Sequence, residues 1–200
     1  MRRAPAPHRL LSLLLDYPRP EVDAVLGQVA GDGGPTLAPF WDWWRGTPLP
    51  ARQAAYVETF DLDRRTGLHL TYYLHGDTRR RGMALLRMKR LYAAAGLPLA
   101  EGELPDYLPA LLEFAAIAPA GYGETLLREH RLALELLRAR LADLASPWAC
   151  TLEVLCASLP GLGRIERDRL ARLGAEGPPD ERVGLEPFAP PEVMPMEARR

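Results

Sequence analysis

The stretch YVETFDLDRRTGLHLTYYLHGDTRRRGMALLRMKR, Tyr56 to Arg90, decides the fold class. His75-Gly76-Asp77 has the form of a junction between two helices: a last helical residue, a glycine able to take the left-handed conformation, and an aspartate suited to cap the next helix. One helix is expected over 67–75, with a break at Thr66-Gly67, because a glycine inside a helix costs about 1 kcal/mol relative to alanine. A second is expected over 78–95, stopped by Gly96-Leu97-Pro98. Its first turn breaks a rule. Arg79, Arg80 and Arg81 sit where the positive end of the helix dipole disfavours each cation by roughly 0.3–1 kcal/mol. Six basic residues and no acidic one lie between Arg79 and Arg90, so pairing along the helix cannot relieve the repulsion. A local rule broken without visible compensation points to a functional segment. The plainer reading is a solvated basic face.

Helical spacing extends outward from this stretch. Leu126, Leu127, His130, Leu134, Leu137, Leu141 and Leu144 recur at three- and four-residue steps, which predicts one long amphipathic helix. Leu104, Leu108, Leu111, Leu112 and Ala115 predict another, with Pro105 and Pro109 in its first turn and Pro119 closing it. Further helices fit residues 8–16, 21–30, 51–62 and 149–158, while the segment around Phe40 has no assignment. In Phe40-Trp41-Asp42-Trp43-Trp44 two of the rings are expected in the core, and an exposed one would suit an apolar partner helix. Strand alternation is almost absent. The expected architecture is all-α, a single globular multi-helix bundle over 1–173. From Gly174 onward, Gly177-Pro178-Pro179, Pro187, Pro190-Pro191 and Pro195 come without apolar periodicity, so 174–200 reads as a mobile Pro/Gly-rich tail.

Composition narrows the function classes. A chain of 200 residues fits one domain with a real core. With 25 basic and 26 acidic residues there is no global charge to drive binding to nucleic acid or an anionic membrane. No apolar run approaches the roughly 20 residues that span a bilayer, and Arg2-Arg3 before LLSLLL lacks the length and cleavage site of a secretory signal. Cys150 and Cys156 match no common zinc spacing and read as buried thiols. The histidines His8, His69, His75 and His130 are scattered, and neither a Walker loop, a strand-preceded GxGxxG nor a nucleophile elbow occurs. No catalytic residue, metal site or bound cofactor is expected. The chain is read as a non-enzymatic interaction module.

YVETFDLDRR, LTYYLHGDTRRRGMALLRMK and ELPDYLPALLEFAA, in that order, resemble the TorD/DmsD/NarJ family of redox-enzyme maturation proteins, and within it the assembly chaperones of respiratory nitrate reductase. The resemblance runs from LLSLLLDYP to about residue 145. It implies an all-helical cytoplasmic protein that binds the N-terminal segment of the molybdenum-containing catalytic subunit. Such a protein keeps the immature apoprotein competent for cofactor insertion and delays its membrane attachment. A chaperone for another molybdoenzyme and a permanent helical subunit of the reductase are the alternatives.

The resemblance also marks residues. A Pro-Asp-His motif of the group is associated with binding the client's leader peptide; Pro105 and Asp106 match it, and Tyr107 stands in place of the histidine. Glu103 and Asp106 read equally well as helix-start capping residues. Of Tyr72 and Tyr73, one ring is expected in the core and the other at a groove or solvent. With His75 and Asp77 these form the candidate client-binding set, extended by Arg79, Arg80 and Arg81. The arginines admit three readings: pairing with Glu58, Asp61 or Asp63, an acidic patch on the client, or phosphate groups of a pterin cofactor in transit. Internal pairing is preferred.

Overall fold

Leu11, Leu14 and Leu15 repeat at helical steps, and all three are buried. They turn the first helix inward and make it the centre of the bundle. In the computed structural model, which describes residues 8–100 and 102–177, eleven α-helices succeed one another with no strand among the described residues. They are α1 (His8–Leu14), α2 (Pro20–Gln28), α3 (Ala38–Gly46), α4 (Leu49–Tyr56), α5 (Leu70–His75), α6 (Arg79–Ala94), α7 (Leu108–Ile117), α8 (Tyr122–Glu129), α9 (Arg131–Asp143), α10 (Ala149–Ser158) and α11 (Arg164–Glu176). A 3-10 turn, Pro35–Leu37, leads into α3, and a π-helical turn, Val57–Asp61, extends α4.

The core is built where apolar faces meet. α1 packs on α7 and α10, α9 on α10, α5 on α9 and α7 on α8. Trp148, just before α10, is surrounded by Phe40, Trp43, Tyr56 and Phe60 with ring centroids 4.9–6.4 Å apart. Its indole N–H donates to the Leu14 carbonyl at 2.9 Å. Tyr92 of α6 stacks on Phe114 of α7 at 4.0 Å. The π turn lets the α4 segment keep Tyr56 and Phe60 together, with rings 4.8 Å apart.

Backbones approach closely where α8 crosses α7. A Cβ on Gly123 would lie 2.4 Å from Ala115 Cα and 2.5 Å from Ala115 Cβ, and backbone atoms cannot rotate away. Gly123→Ala is therefore expected to destabilise the fold by about 1–3 kcal/mol, the usual cost of overpacking. It should lower the urea midpoint at unchanged slope. An unchanged midpoint would mean that the two helices separate at no cost.

Several elements depart from the sequence reading. The expected helix across residues 126–144 is two helices, because His130 (φ −97°, ψ 14°) ends α8 and its ring Nδ1–H bonds the Leu126 carbonyl at 2.9 Å. The bend allows α8 to face α7 while α9 faces α5 and α10. α7 begins at Leu108, not near Leu104, since Asp106 and Leu108 are held by backbone bonds to residues 68–70. α5 begins at Leu70 for the same reason. The unassigned aromatic segment is α3, with Phe40 and Trp41 buried. α11 has no counterpart among the expected helices and runs to Glu176, three residues past 173. Of the expected tail, residues 178–200 lie outside the described residues. The break at Thr66-Gly67 and the junction at Gly76 (φ 57°) are present as read.

Candidate functional site

Residues 68–70 and 106–108 meet as a single antiparallel bridge, His69 with Tyr107. Leu70 N–H donates to Asp106 O at 3.0 Å and Leu108 N–H to Leu68 O at 2.9 Å. This pair of bonds fixes the start of α5 against the start of α7. Asp106 is thereby driven fully inside, at 0% exposure. A buried carboxylate must find donors or neutralise. Asp106 finds three hydrogen bonds and a neighbouring cation. Thr71 donates its backbone N–H to Oδ2 at 3.2 Å and also its hydroxyl, His69 Nδ1–H donates to Oδ1 at 3.2 Å, and Arg81 lies 3.9 Å from Oδ2. Burial pushes the Asp106 carboxyl up, but the hydrogen bonds from His69 and Thr71 and the charges of His69 and Arg81 outweigh it and hold the group below its ordinary value.

Asp106 does cap a helix, yet not its own. The capping position of α7 is Tyr107, without a side-chain cap bond, and the Asp106 carboxylate instead receives the N–H of Thr71 in the first turn of α5. The imidazole beside Asp106 is His69, 5.5 Å from the Tyr107 ring. Tyr107 reaches the other way: its phenol oxygen is 3.1 Å from that of Tyr56, which donates to Leu15 O, and 3.4 Å from Asp16 Oδ1. Burial pushes the Tyr107 phenol up to about 12.

Arg81 and Arg87 of the basic helix are compensated, by acids other than those expected. Arg81 donates to Asp77 Oδ1 at 3.1 Å and to Thr71 Oγ1 at 3.3 Å, and its guanidinium lies 5.9 Å from the Tyr72 ring centre. Arg87 pairs with Glu129. Asp63 pairs instead with Arg140 at 3.1 Å. Asp77 is an exposed partner of Arg81, and the capping position before α6 is held by Thr78 without a side-chain cap bond.

Beside this network a cleft of about 640 Å³ opens between α5, α9 and the end of α11. Tyr72 and Tyr73 form one wall, Leu136 and Arg140 another, Leu173 and Gly174 a third. Tyr73 is buried, with its hydroxyl donating to Arg65 O and Gly67 O, while Tyr72 is half-buried and accessible. Arg140, at the cleft wall, keeps a buried Nε–H without an acceptor among the described residues. The Asp63 carboxyl is held low first by the Arg65 backbone N–H and then by Arg140.

The structure therefore brings Tyr72, Tyr73, Asp77, Arg81, Asp106 and Tyr107 into one neighbourhood. Arg79, Arg80 and Glu103 are exposed, and Pro105 is buried with its carbonyl accepting from Tyr92. His75 is half-buried and its pKa is lowered by burial, then by His130, Arg169 and Arg80. Sequence reasoning missed Thr71, Arg140 and the role of His69. Reading 67–75 as helix hid the extended residue that makes the bridge. Among the described residues, no group of three or more His, Cys, Asp or Glu side chains is placed to hold a metal, and no helix is long and apolar enough to cross a membrane.

The chain is 34% identical over 159 residues to the nitrate reductase-like protein NarX of Mycobacterium tuberculosis, covering 77% of this chain and 24% of that protein. It is 39% identical over 108 residues to the probable nitrate reductase molybdenum cofactor assembly chaperone NarJ of Bacillus subtilis, covering 54% of this chain and 59% of that one. It is 40% identical over 108 residues to the nitrate reductase molybdenum cofactor assembly chaperone NarJ of Escherichia coli, covering 54% of this chain and 45% of that one. The chain thus spans less than two thirds of the length of each of these relatives. Residues 32–152, more than half of the chain and inclusive of the whole Asp106 network, match the family model described as nitrate reductase delta subunit, and the chain belongs to that family.

Proposed function

We propose that the protein is a dedicated assembly chaperone of respiratory nitrate reductase. In this reading it works in the cytoplasm on the immature catalytic subunit, binds its N-terminal segment, keeps the apoprotein competent for molybdenum cofactor insertion and delays its membrane attachment. The observation that carries the reading is the cleft beside α5, with the accessible Tyr72 ring, apolar Leu136 and the cationic Arg140 on facing walls. A groove of this make-up suits an amphipathic segment, in which apolar anchors supply affinity and rim charges supply orientation. The Asp106 network stands behind the groove and holds α5 at a fixed angle. No bond is made or broken; binding and release are the mechanism.

The test is calorimetric titration with a peptide copying the N-terminus of the same organism's catalytic subunit, beside a scrambled control. Saturable one-to-one binding confined to the native peptide is expected. Tyr72→Ala should weaken it by about 30-fold, the value of a 2 kcal/mol aromatic anchor, with no change in the unfolding midpoint. Equal heats for native and scrambled peptides would end the proposal.

A further inference from the structure

Ten of the eleven helices bury at least two residues each, and α11 buries none. Its Ile165 is 82% exposed, and only Leu170 and Leu173 are half-buried apolar residues within it. The helix rests on α9, where Gly174 comes within side-chain contact of Leu136 (3.8 Å from a Cβ built on the glycine), and its last turn forms a wall of the cleft. Leu159, Pro160, Gly161, Leu162 and Gly163 join it to α10 as an irregular linker in which Leu159 alone is buried. A helix held by so little apolar area, on a tether of this kind, opens at low cost.

We propose that α11 is a displaceable wall of the client groove: it covers the part of the α9 and α5 face that lies beside the open cleft, and the client segment displaces it. This rests on the reading of the chain as a client-binding chaperone and deepens it by naming the site and the shape of the ligand. Leu170-Ala171-Arg172-Leu173-Gly174-Ala175-Glu176 supplies the pattern: two leucines three residues apart, a small residue directly after, and an acid two further on. Leu173, Gly174 and Glu176 all line the cleft that Arg140 also lines. The ligand is therefore an amphipathic helix carrying Leu-x-x-Leu-small-x-acid. The tethered copy keeps that part of the groove covered until a client of that register competes for it, which makes binding reversible by construction. A groove that is closed nine-tenths of the time weakens apparent affinity by about 10-fold.

The test uses the full chain with L170D/L173D, which detaches α11 without touching a buried residue. Leu173→Asp alone, at the half-buried leucine that lines the cleft, serves as the second release variant, and circular dichroism verifies that each folds. Two probes are titrated: a fluorescent peptide of residues 164–177 and the peptide from the catalytic subunit. Both release variants are expected to bind the 164–177 peptide saturably, to bind the catalytic-subunit peptide about 10-fold tighter than the unaltered chain, and to show competition between the two. If the 164–177 peptide binds but the catalytic-subunit peptide never does, the groove stands and the proposed client falls. If the catalytic-subunit peptide binds released and unaltered chains alike and the 164–177 peptide does not compete, the displacement falls and the client stands. Binding of neither peptide overturns both.

Discussion

Asp106→Ala is expected to cost about 3–5 kcal/mol of folding stability, the range for removing one partner of a buried charge network. Three hydrogen bonds and the Arg81 charge converge on this carboxylate, and the alanine leaves the buried N–H and hydroxyl of Thr71 without their acceptor, while the partly exposed His69 and Arg81 each lose an acid. The starts of α5 and α7 then lose the side-chain tie that reinforces their two backbone bonds. Asp106→Asn keeps one acceptor oxygen and should recover part of the loss. Urea unfolding at neutral pH checks both, and a loss below about 1 kcal/mol for the alanine variant would contradict the geometry described.

The same residue predicts a pH dependence. A carboxylate held below its ordinary value contributes stability that is present above that value and lost as pH falls through the lowered one. The gap in stability between the native chain and Asp106→Ala should therefore be widest above about pH 4 and shrink on acidification. A gap that widened with acid would mean that the group is protonated in the folded state.

Trp148→Ala is the second large effect, at about 3–5 kcal/mol for truncating a buried aromatic. The ring is 2% exposed and touches Phe40, Trp43, Tyr56 and Phe60, so its removal opens a cavity shared by α3, α4 and α10. Trp148→Phe refills much of the volume but leaves the Leu14 carbonyl without its donor, and a residual loss of about 1–3 kcal/mol is expected. The alanine variant should also lose near-ultraviolet circular dichroism, which reports the fixed ring geometry. A native-like spectrum would argue against the cluster as the organising contact.

Residues 149–158 and the junction at Gly76 can be placed from sequence because both are local: an apolar stripe with clear ends, and a glycine at a positive φ. The all-helical class comes from the same local spacing. His130 is not legible as a break, since apolar steps continue through it and the bend depends on what α8 and α9 pack against. α11 escapes a sequence reading because its apolar content within the helix is nearly confined to Ile165, Leu170 and Leu173. At the candidate site, Tyr73 inside and Tyr72 outside agree with the two-sided reading of the pair. The partner of Arg81 is four residues away, but the acid that serves Arg87 lies 42 residues distant on α8, and local sequence gives no sign of it. Asp106 is legible as a capping residue, while the helix it caps begins 36 residues earlier in the chain and becomes its neighbour only through the bridge.

The bond between the Trp148 indole and Leu14 joins positions 134 residues apart. It sets a schedule for synthesis. At about 5–20 residues per second a ribosome needs roughly 7–27 s to travel that distance. Throughout it the leucine face of α1 has been made but the part of its seat that α10 and Trp148 provide has not. A nascent chain in that interval presents the kind of surface that general holding factors recognise, so a chain stalled before Trp148 should be found bound to them, whereas one stalled beyond α10 should be released.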